Sequence, residues 1–130
     1  MFDNLTFENY RSFQSYSMQG LKRVNLLTGF NNSGKSSLLE AIEILASGGE
    51  PECFFRISTR RSEFITADEG NASSFCDPTH FFFNRRMGRR DRMAIRSNHW
   101  WVSLMLDAPL KAGGRYWSRG VLTHRLMGKC

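Results

Sequence analysis

The sequence predicts an α/β fold in which a strand, a glycine turn and a helix form one unit, with an antiparallel β meander beside it. Three observations carry this. The apolar run Val24-Asn25-Leu26-Leu27 ends abruptly at Thr28-Gly29. From Ser36 to Ala46, Leu38, Ile42 and Leu45 recur at steps of four and three, the spacing of one helix face. After Pro78, the runs Phe81–Phe83, Arg92–Arg96 and Trp100–Leu106 succeed one another with short connections. Such spacing suits antiparallel neighbours, because a parallel crossover needs a dozen or more intervening residues.

The segment Leu5-Thr6-Phe7-Glu8-Asn9-Tyr10 alternates apolar and polar residues, the period-two pattern of a half-buried strand. Gln14 to Gly20 is polar and reads as a turn or a short edge strand. Val24–Leu27 reads as a buried strand entering the glycine turn. Leu39 and Ala46 broaden the apolar face of the helix that follows. Ser47-Gly48-Gly49 supplies its stop, since glycine adopts the left-handed cap without a steric penalty, and Pro51 is expected to keep the helix from resuming. Residues 52–79 scatter Glu52, Arg56, Arg60, Arg61, Glu63, Asp68 and Glu69 among few apolar residues. They read as a mostly irregular connection, with at most a short helix, ending near Asp77-Pro78. Within Trp100–Leu106, Val102, Leu104 and Leu106 share a face. From Asp107 onward Pro109, Gly113-Gly114, Gly120 and Gly128 show no period. The expected organisation is one partial domain over residues 1–106 and an irregular tail over 107–130.

A chain of 130 residues holds one core and not two. A hydrophobic share of 41% suits a globular protein. The formal charge of +6 favours an anionic partner: nucleotide, nucleic acid or acidic lipid. Cys53, Cys76 and Cys130 are odd in number and form no C-x-x-C pair, which argues against a disulfide scaffold and for a reducing, cytoplasmic location. Cys76 and His80 have a spacing a metal site could use, but no second ligand pair accompanies them. No basic stretch followed by an apolar run opens the chain, and no apolar run approaches the ~20 residues of a membrane span.

The motif with chemistry in it is Gly29-Phe30-Asn31-Asn32-Ser33-Gly34-Lys35-Ser36, which matches G-x-x-x-x-G-K-[ST], the Walker A pattern of P-loop NTPases. Gly29 lets the chain turn sharply, and Gly34 lets the backbone approach phosphates with no side chain between. The loop's N–H groups then converge on phosphate oxygens, with the helix dipole behind them. Lys35 would bring positive charge to the β- and γ-phosphates, and the Ser36 hydroxyl would sit on Mg²⁺. The alternative is a glycine-rich turn carrying an exposed lysine. The guanine-reading N-K-x-D pattern is absent, which leans towards ATP.

These segments together are similar to the opening of an ABC-type ATPase head. Leu5-Thr6-Phe7-Glu8-Asn9-Tyr10-Arg11-Ser12-Phe13, Val24–Gly29 and Asn31-Asn32-Ser33-Gly34-Lys35-Ser36-Ser37-Leu38-Leu39-Glu40-Ala41-Ile42 most resemble the RecF, SMC and OLD-nuclease branch of bacterial AAA-family ATPases. The resemblance covers about the first 50 residues and is only suggestive beyond Pro51. It implies the N-terminal lobe of a larger ATPase, with this chain a truncated or split product. It assigns Asn31, Asn32, Ser33, Gly34, Lys35, Ser36 and Ser37 to the phosphate loop, and Ser36 to the metal. Arg11 matches an arginine that lies near the nucleotide in relatives; the other reading is a salt-bridged surface residue. Phe30 replaces a proline common in relatives, at a position that contributes mainly backbone. DNA repair or phage defence is the setting the resemblance suggests.

Hydrolysis in this branch also needs a Walker B Asp-Glu pair and a signature loop from a second subunit. Ala46-Ser47-Gly48-Gly49-Glu50 imitates a signature loop but stands where a helix stop is expected. Val102 to Pro109 imitates a Walker B strand, with Asp107 at the metal position, but Ala108 replaces the glutamate that would act on water. The expectation is therefore an ATP- and Mg²⁺-binding lobe that does not hydrolyse ATP alone. Its implied partners are a second ATPase subunit or the missing C-terminal lobe, and no membrane.

The alternative is a nucleic-acid-binding or interaction module with a vestigial P-loop. Its basis is the cluster Arg85, Arg86, Arg89, Arg90, Arg92 and Arg96, which suits either DNA phosphates or a solvated hairpin. Phe81–Phe83 and Trp100-Trp101 could stack bases or build the core. A third reading, a self-contained ATPase or kinase using Asp107, lacks visible substrate elements. His80, His99 and His124 show no catalytic arrangement.

Overall fold

The computed structural model describes residues 2–66, 74–86, 91–98, 100–106 and 120–126. A five-stranded sheet in the order β2-β1-β5-β6-β7 carries two helices on one face. Strand β1 (Asn4–Tyr10) pairs antiparallel with β2 (Phe13–Gln19) on one side and with β5 (Arg92–Ser97) on the other. β6 (Trp100–Leu106) continues antiparallel from β5, and β7 (Gly120–Leu126) from β6, so the meander extends through the last three strands. A separate short hairpin joins β3 (Phe64–Thr66) to β4 (Ser74–Cys76).

The alternation in β1 buries Leu5 and Phe7 completely. Asn9 then takes a left-handed conformation (φ 53°), which breaks the alternation and brings Tyr10 to the buried side as well. Arg11-Ser12 is a two-residue hairpin turn with Arg11 at φ 49°, and the Arg11 N–H donates to the Phe81 carbonyl at 3.1 Å. The core forms where Leu5, Phe7, Met93, Ile95, Val102 and Leu104 of the sheet meet Leu38, Ala41, Ile44 and Leu45 of helix α1 (Lys35–Ala46). Helix α2 (Pro51–Arg61) adds Cys53, Phe54 and Ile57 to the same cluster. Phe54 meets Phe81 edge-on, with ring centroids 5.0 Å apart.

Several expectations require correction. Val24–Leu27 forms no strand: it lacks regular structure, and Val24 and Leu26 are each 88% exposed. A strand needs a neighbour for its N–H and C=O groups, and none of the described residues pairs with this run. Asn25 instead closes a local turn, its side chain accepting from the Lys22 N–H at 2.9 Å and donating to the Lys22 carbonyl at 2.7 Å. Pro51 does not end helical structure but begins α2, where its missing N–H is one no helix would use. The 52–79 connection is thus largely helix and hairpin. Phe81–Phe83 is not a strand; it spans two 3₁₀ turns, Pro78–Phe81 and Phe83–Arg85, linked through a single bridge from Phe82 to Tyr10. The region after Leu106 is not wholly irregular, because β7 completes the sheet. The rest of that region, Asp107 included, lies outside the described residues.

The two helices are clamped by Glu43 of α1, which accepts from Arg56 Nε at 3.0 Å and from Arg60 of α2. The Arg60 hydrogen bond, opposed weakly by burial, holds the Glu43 carboxyl below its ordinary range. A depressed carboxylate stabilises the fold above its unfolded pKa and loses that contribution as pH falls through its folded value. Glu43→Gln should therefore lower the melting temperature slightly at neutral pH. The difference from wild type should close as pH falls below the ordinary carboxylate range, and also at high salt.

Candidate nucleotide-phosphate site

Residues 29–34 curl back so that the start of α1 closes the loop. Three left-handed positions make the curl: Gly29 (φ 152°), Asn32 (φ 65°) and Gly34 (φ 87°). A Cβ on Gly29 would lie 2.9 Å from Ser33 Oγ, and one on Gly34 would lie 2.8 Å from the Phe13 ring. Both positions favour glycine for conformation, and at Gly34 the Phe13 ring also leaves no room for a Cβ. Lys35 folds over the loop and donates from Nζ to the Gly29 carbonyl at 2.8 Å, the Phe30 carbonyl at 2.6 Å and Ser33 Oγ at 3.3 Å. The ammonium therefore ties together the two ends of the loop. Phe30 is 91% exposed and contributes its carbonyl, as expected for a position that acts through backbone.

Helix α1 opens at this loop without a side-chain cap and without an acidic residue in its first turn. Its first internal hydrogen bond runs from the Leu38 N–H to the Gly34 carbonyl. The N–H groups of the preceding turn have no intrahelical acceptor and carry the positive end of the helix dipole.

The loop forms one side of a cavity of about 480 Å³, within the roughly 300–1,000 Å³ of small-molecule sites. Asn31, Asn32, Ser33, Gly34, Lys35, Ser36, Ser37 and Arg11, all assigned from sequence, border this one cavity. Arg61, Glu63, His80, Asn84 and Arg85 also border it and were not assigned there. They arrive through α2 and the 3₁₀ turns, for which no motif spacing gave a cue.

Arg11 is the floor of the site rather than a surface residue. Its Nη1 and Nη2 donate to the two Glu63 oxygens at 3.0 and 3.1 Å, while Nε lies 3.0 Å from Glu40 Oε2 in an ion pair. The guanidinium also sits 4.7 Å from the centroid of the Phe81 ring. Burial opposes the Arg11 charge; the Glu63 hydrogen bond, together with Tyr10, Glu40 and Glu63, outweighs it and holds the proton more firmly than usual. Glu40 is shared, accepting from Arg61 Nε at 2.6 Å. His80 stands between Glu63 and Asp77, 3.5 Å from each. Burial pushes the Tyr10 phenol well above its usual range, offset in part by Arg11, so it stays neutral.

The basic cluster is divided. Arg85 borders the phosphate-loop cavity, whereas Arg92 and Arg96 border a second, smaller one at the sheet. Arg89 and Arg90 lie outside the described residues. Ala46–Gly49, which imitates a signature loop, is the helix stop: the Gly48 and Gly49 N–H groups donate to the Leu45 and Ile44 carbonyls.

Gly34→Val would place a branched side chain against Phe13 in a left-handed backbone. It should reduce nucleotide binding below detection while leaving the far-UV circular dichroism of the sheet intact. Retained binding would mean that the loop does not need this close approach.

The loop is thus closed by its own lysine and opens onto an uncapped helix start. Residues 1–86 match the AAA ATPase domain, and the chain belongs to that family. It is similar to the DNA replication and repair protein RecF of Idiomarina loihiensis, 29% identical over 105 residues, covering 81% of this chain and 28% of that protein. RecF of Cellvibrio japonicus is 48% identical over 44 residues, 34% of this chain and 12% of that protein. An ATP/GTP phosphatase of Helicobacter pylori is 34% identical over 53 residues, 41% of this chain and 14% of that protein. The chain thus spans less than a third of the length of each of these relatives. Among the described residues no helix is long and apolar enough to cross a membrane.

Proposed function

We propose that this chain binds ATP with Mg²⁺ through the loop Asn31–Ser37 and does not hydrolyse ATP unaided. The single observation that supports binding is the loop itself: Lys35 Nζ seated on the Gly29 and Phe30 carbonyls beside an uncapped helix start. The donor set fits a triphosphate, since N–H groups, one ammonium and the hydroxyls of Ser33, Ser36 and Ser37 converge where no acidic side chain caps the helix. Lys35 and the loop amides would hold the phosphates, and Ser36, which is exposed, would offer Mg²⁺ its hydroxyl. Bound Mg²⁺ would supply charge neutralisation for the phosphates. Arg11 sits in the floor as a structural charge that fixes Glu40 and Glu63.

The same geometry supports the lack of unaided hydrolysis. Glu63 is the one carboxylate among the described residues that border the cavity, and Arg11 engages both its oxygens. A carboxylate held bidentate by a guanidinium is poorly placed to accept a proton from water. The remaining groups would come from a second ATPase subunit or a C-terminal lobe, in a cytoplasmic setting linked to DNA, since the RecF relatives are named for DNA replication and repair.

Titration of fluorescently labelled ATP with and without Mg²⁺ tests the proposal. Saturable binding that Mg²⁺ strengthens, with no steady phosphate release, is the expected result. Absence of binding at millimolar ATP would overturn the first half; steady release abolished by Asp107→Asn would overturn the second. The arginines of the rival, nucleic-acid-binding reading border two cavities, Arg85 at the phosphate loop and Arg92 and Arg96 at the sheet.

A further inference from the structure

A second concavity of about 230 Å³ is bordered by Arg92, Arg96, Ser97, Trp100 and Trp101, where β5 and β6 meet at their hairpin. Its makeup differs from the rest of the sheet. Cross-strand register puts Arg96 directly opposite Trp101, and Arg92 lies on the same face four residues away. Trp100 is 42% exposed, although a tryptophan has more apolar surface to hide than any other side chain. Arg96 pairs with Glu8, which accepts from its Nη1 at 2.6 Å and leaves that guanidinium further donors.

We propose that this concavity is a subsite for an unpaired base of single-stranded nucleic acid, with the base stacking on Trp100 and its flanking phosphates meeting Arg92 and Arg96. Three features select this occupant. The volume lies below that of pockets for drug-sized ligands and accommodates one flat ring rather than a base pair. Exposed indole is the side chain on which any base can stack regardless of sequence. Two guanidiniums on one face carry the opposite charge to a phosphate backbone and match its oxygens bidentately. A duplex, whose bases are already stacked and paired, has no base to offer this cavity. The subsite does not depend on the ATP-binding proposal, since none of its residues borders the phosphate loop.

The test uses the full chain and a labelled twelve-residue oligothymidylate, read by fluorescence anisotropy, against a blunt duplex of the same length. The single strand is expected to bind more tightly than the duplex. Trp100→Ala should weaken it about ten-fold, within the range seen for loss of one base stack, and Trp100→Phe should restore most of the affinity. Arg92→Ala should reduce the slope of log affinity against log salt by about 0.7, one phosphate contact on a single strand. Lys35→Ala should leave all of this unchanged, which separates the subsite from the phosphate loop. Equal affinity for duplex, or single-strand binding indifferent to both Trp100→Ala and Arg92→Ala, would overturn the proposal. If Trp100→Ala lowers stability, the Trp100→Phe and Arg92→Ala results decide it.

Discussion

Arg11→Ala should destabilise the chain by about 3–5 kcal/mol, the cost of stripping the partner from a buried charge. The magnitude follows from the surroundings. The Arg11, Glu40 and Glu63 side chains are 6%, 9% and 12% exposed, so water cannot replace the guanidinium. Its removal leaves Glu63 with His80 alone and Glu40 with Arg61, and exposes a void beneath Phe81. Arg11→Lys should recover only part of the loss, since one ammonium cannot serve both Glu63 oxygens and Glu40 together. Neutralising the set in one step, with Arg11→Met, Glu40→Gln and Glu63→Gln combined, should cost less than Arg11→Ala alone. Urea unfolding followed by tryptophan fluorescence measures all three. An Arg11→Ala loss below about 1 kcal/mol, typical of exposed pairs, would show that the network is not buried in solution.

Lys35→Ala should lower Mg-ATP affinity by about ten- to a hundred-fold with little change in stability. The ammonium makes two charge-assisted contacts to loop carbonyls and would make others to phosphate oxygens, each worth roughly 1.5–3 kcal/mol when charged. Water can replace the carbonyl contacts, because the loop is exposed; nothing replaces the positive charge. Lys35→Arg should not rescue binding, since a planar guanidinium does not fit the seat of a compact ammonium. Isothermal titration of wild type and both variants, with thermal melts alongside, separates binding from stability. Equal affinity for wild type and Lys35→Ala would remove the lysine from the site.

Much of this was legible in the sequence, and the divide has a physical cause. Alternation in Leu5–Glu8 and the four-three spacing of Leu38, Ile42 and Leu45 are local signals that the backbone honours. Leu39 and Ala46, expected to broaden the helix face, are however exposed, and Ala41 and Ile44 enter the core instead. Gly29 and Gly34 are local signals too, with the positive φ that only glycine takes up freely. What failed depended on distant partners. Val24–Leu27 has strand composition, but composition cannot supply a neighbouring strand. Phe81–Phe83 has strand composition too, yet Phe81 and Phe82 are drawn into the core by Phe54 and Tyr10, and short 3₁₀ turns deliver them there. Pro51 suggests a barrier because a proline forbids a helix interior, yet at a first helical position it does the opposite. The burial of Arg11 was equally invisible, since Glu63 stands 52 residues away. No spacing rule links two such residues; only the hairpin turn and the end of α2 bring them together.

The backbone amides of Gly34, Lys35, Ser36 and Ser37 test the central claim most directly. In a ¹H–¹⁵N correlation spectrum recorded during a Mg-ATP titration, these four should shift first and farthest, saturating together, while the amides of β5 and β6 stay in place. Saturable shifts confined to other segments, with residues 34–37 unmoved, would contradict the account.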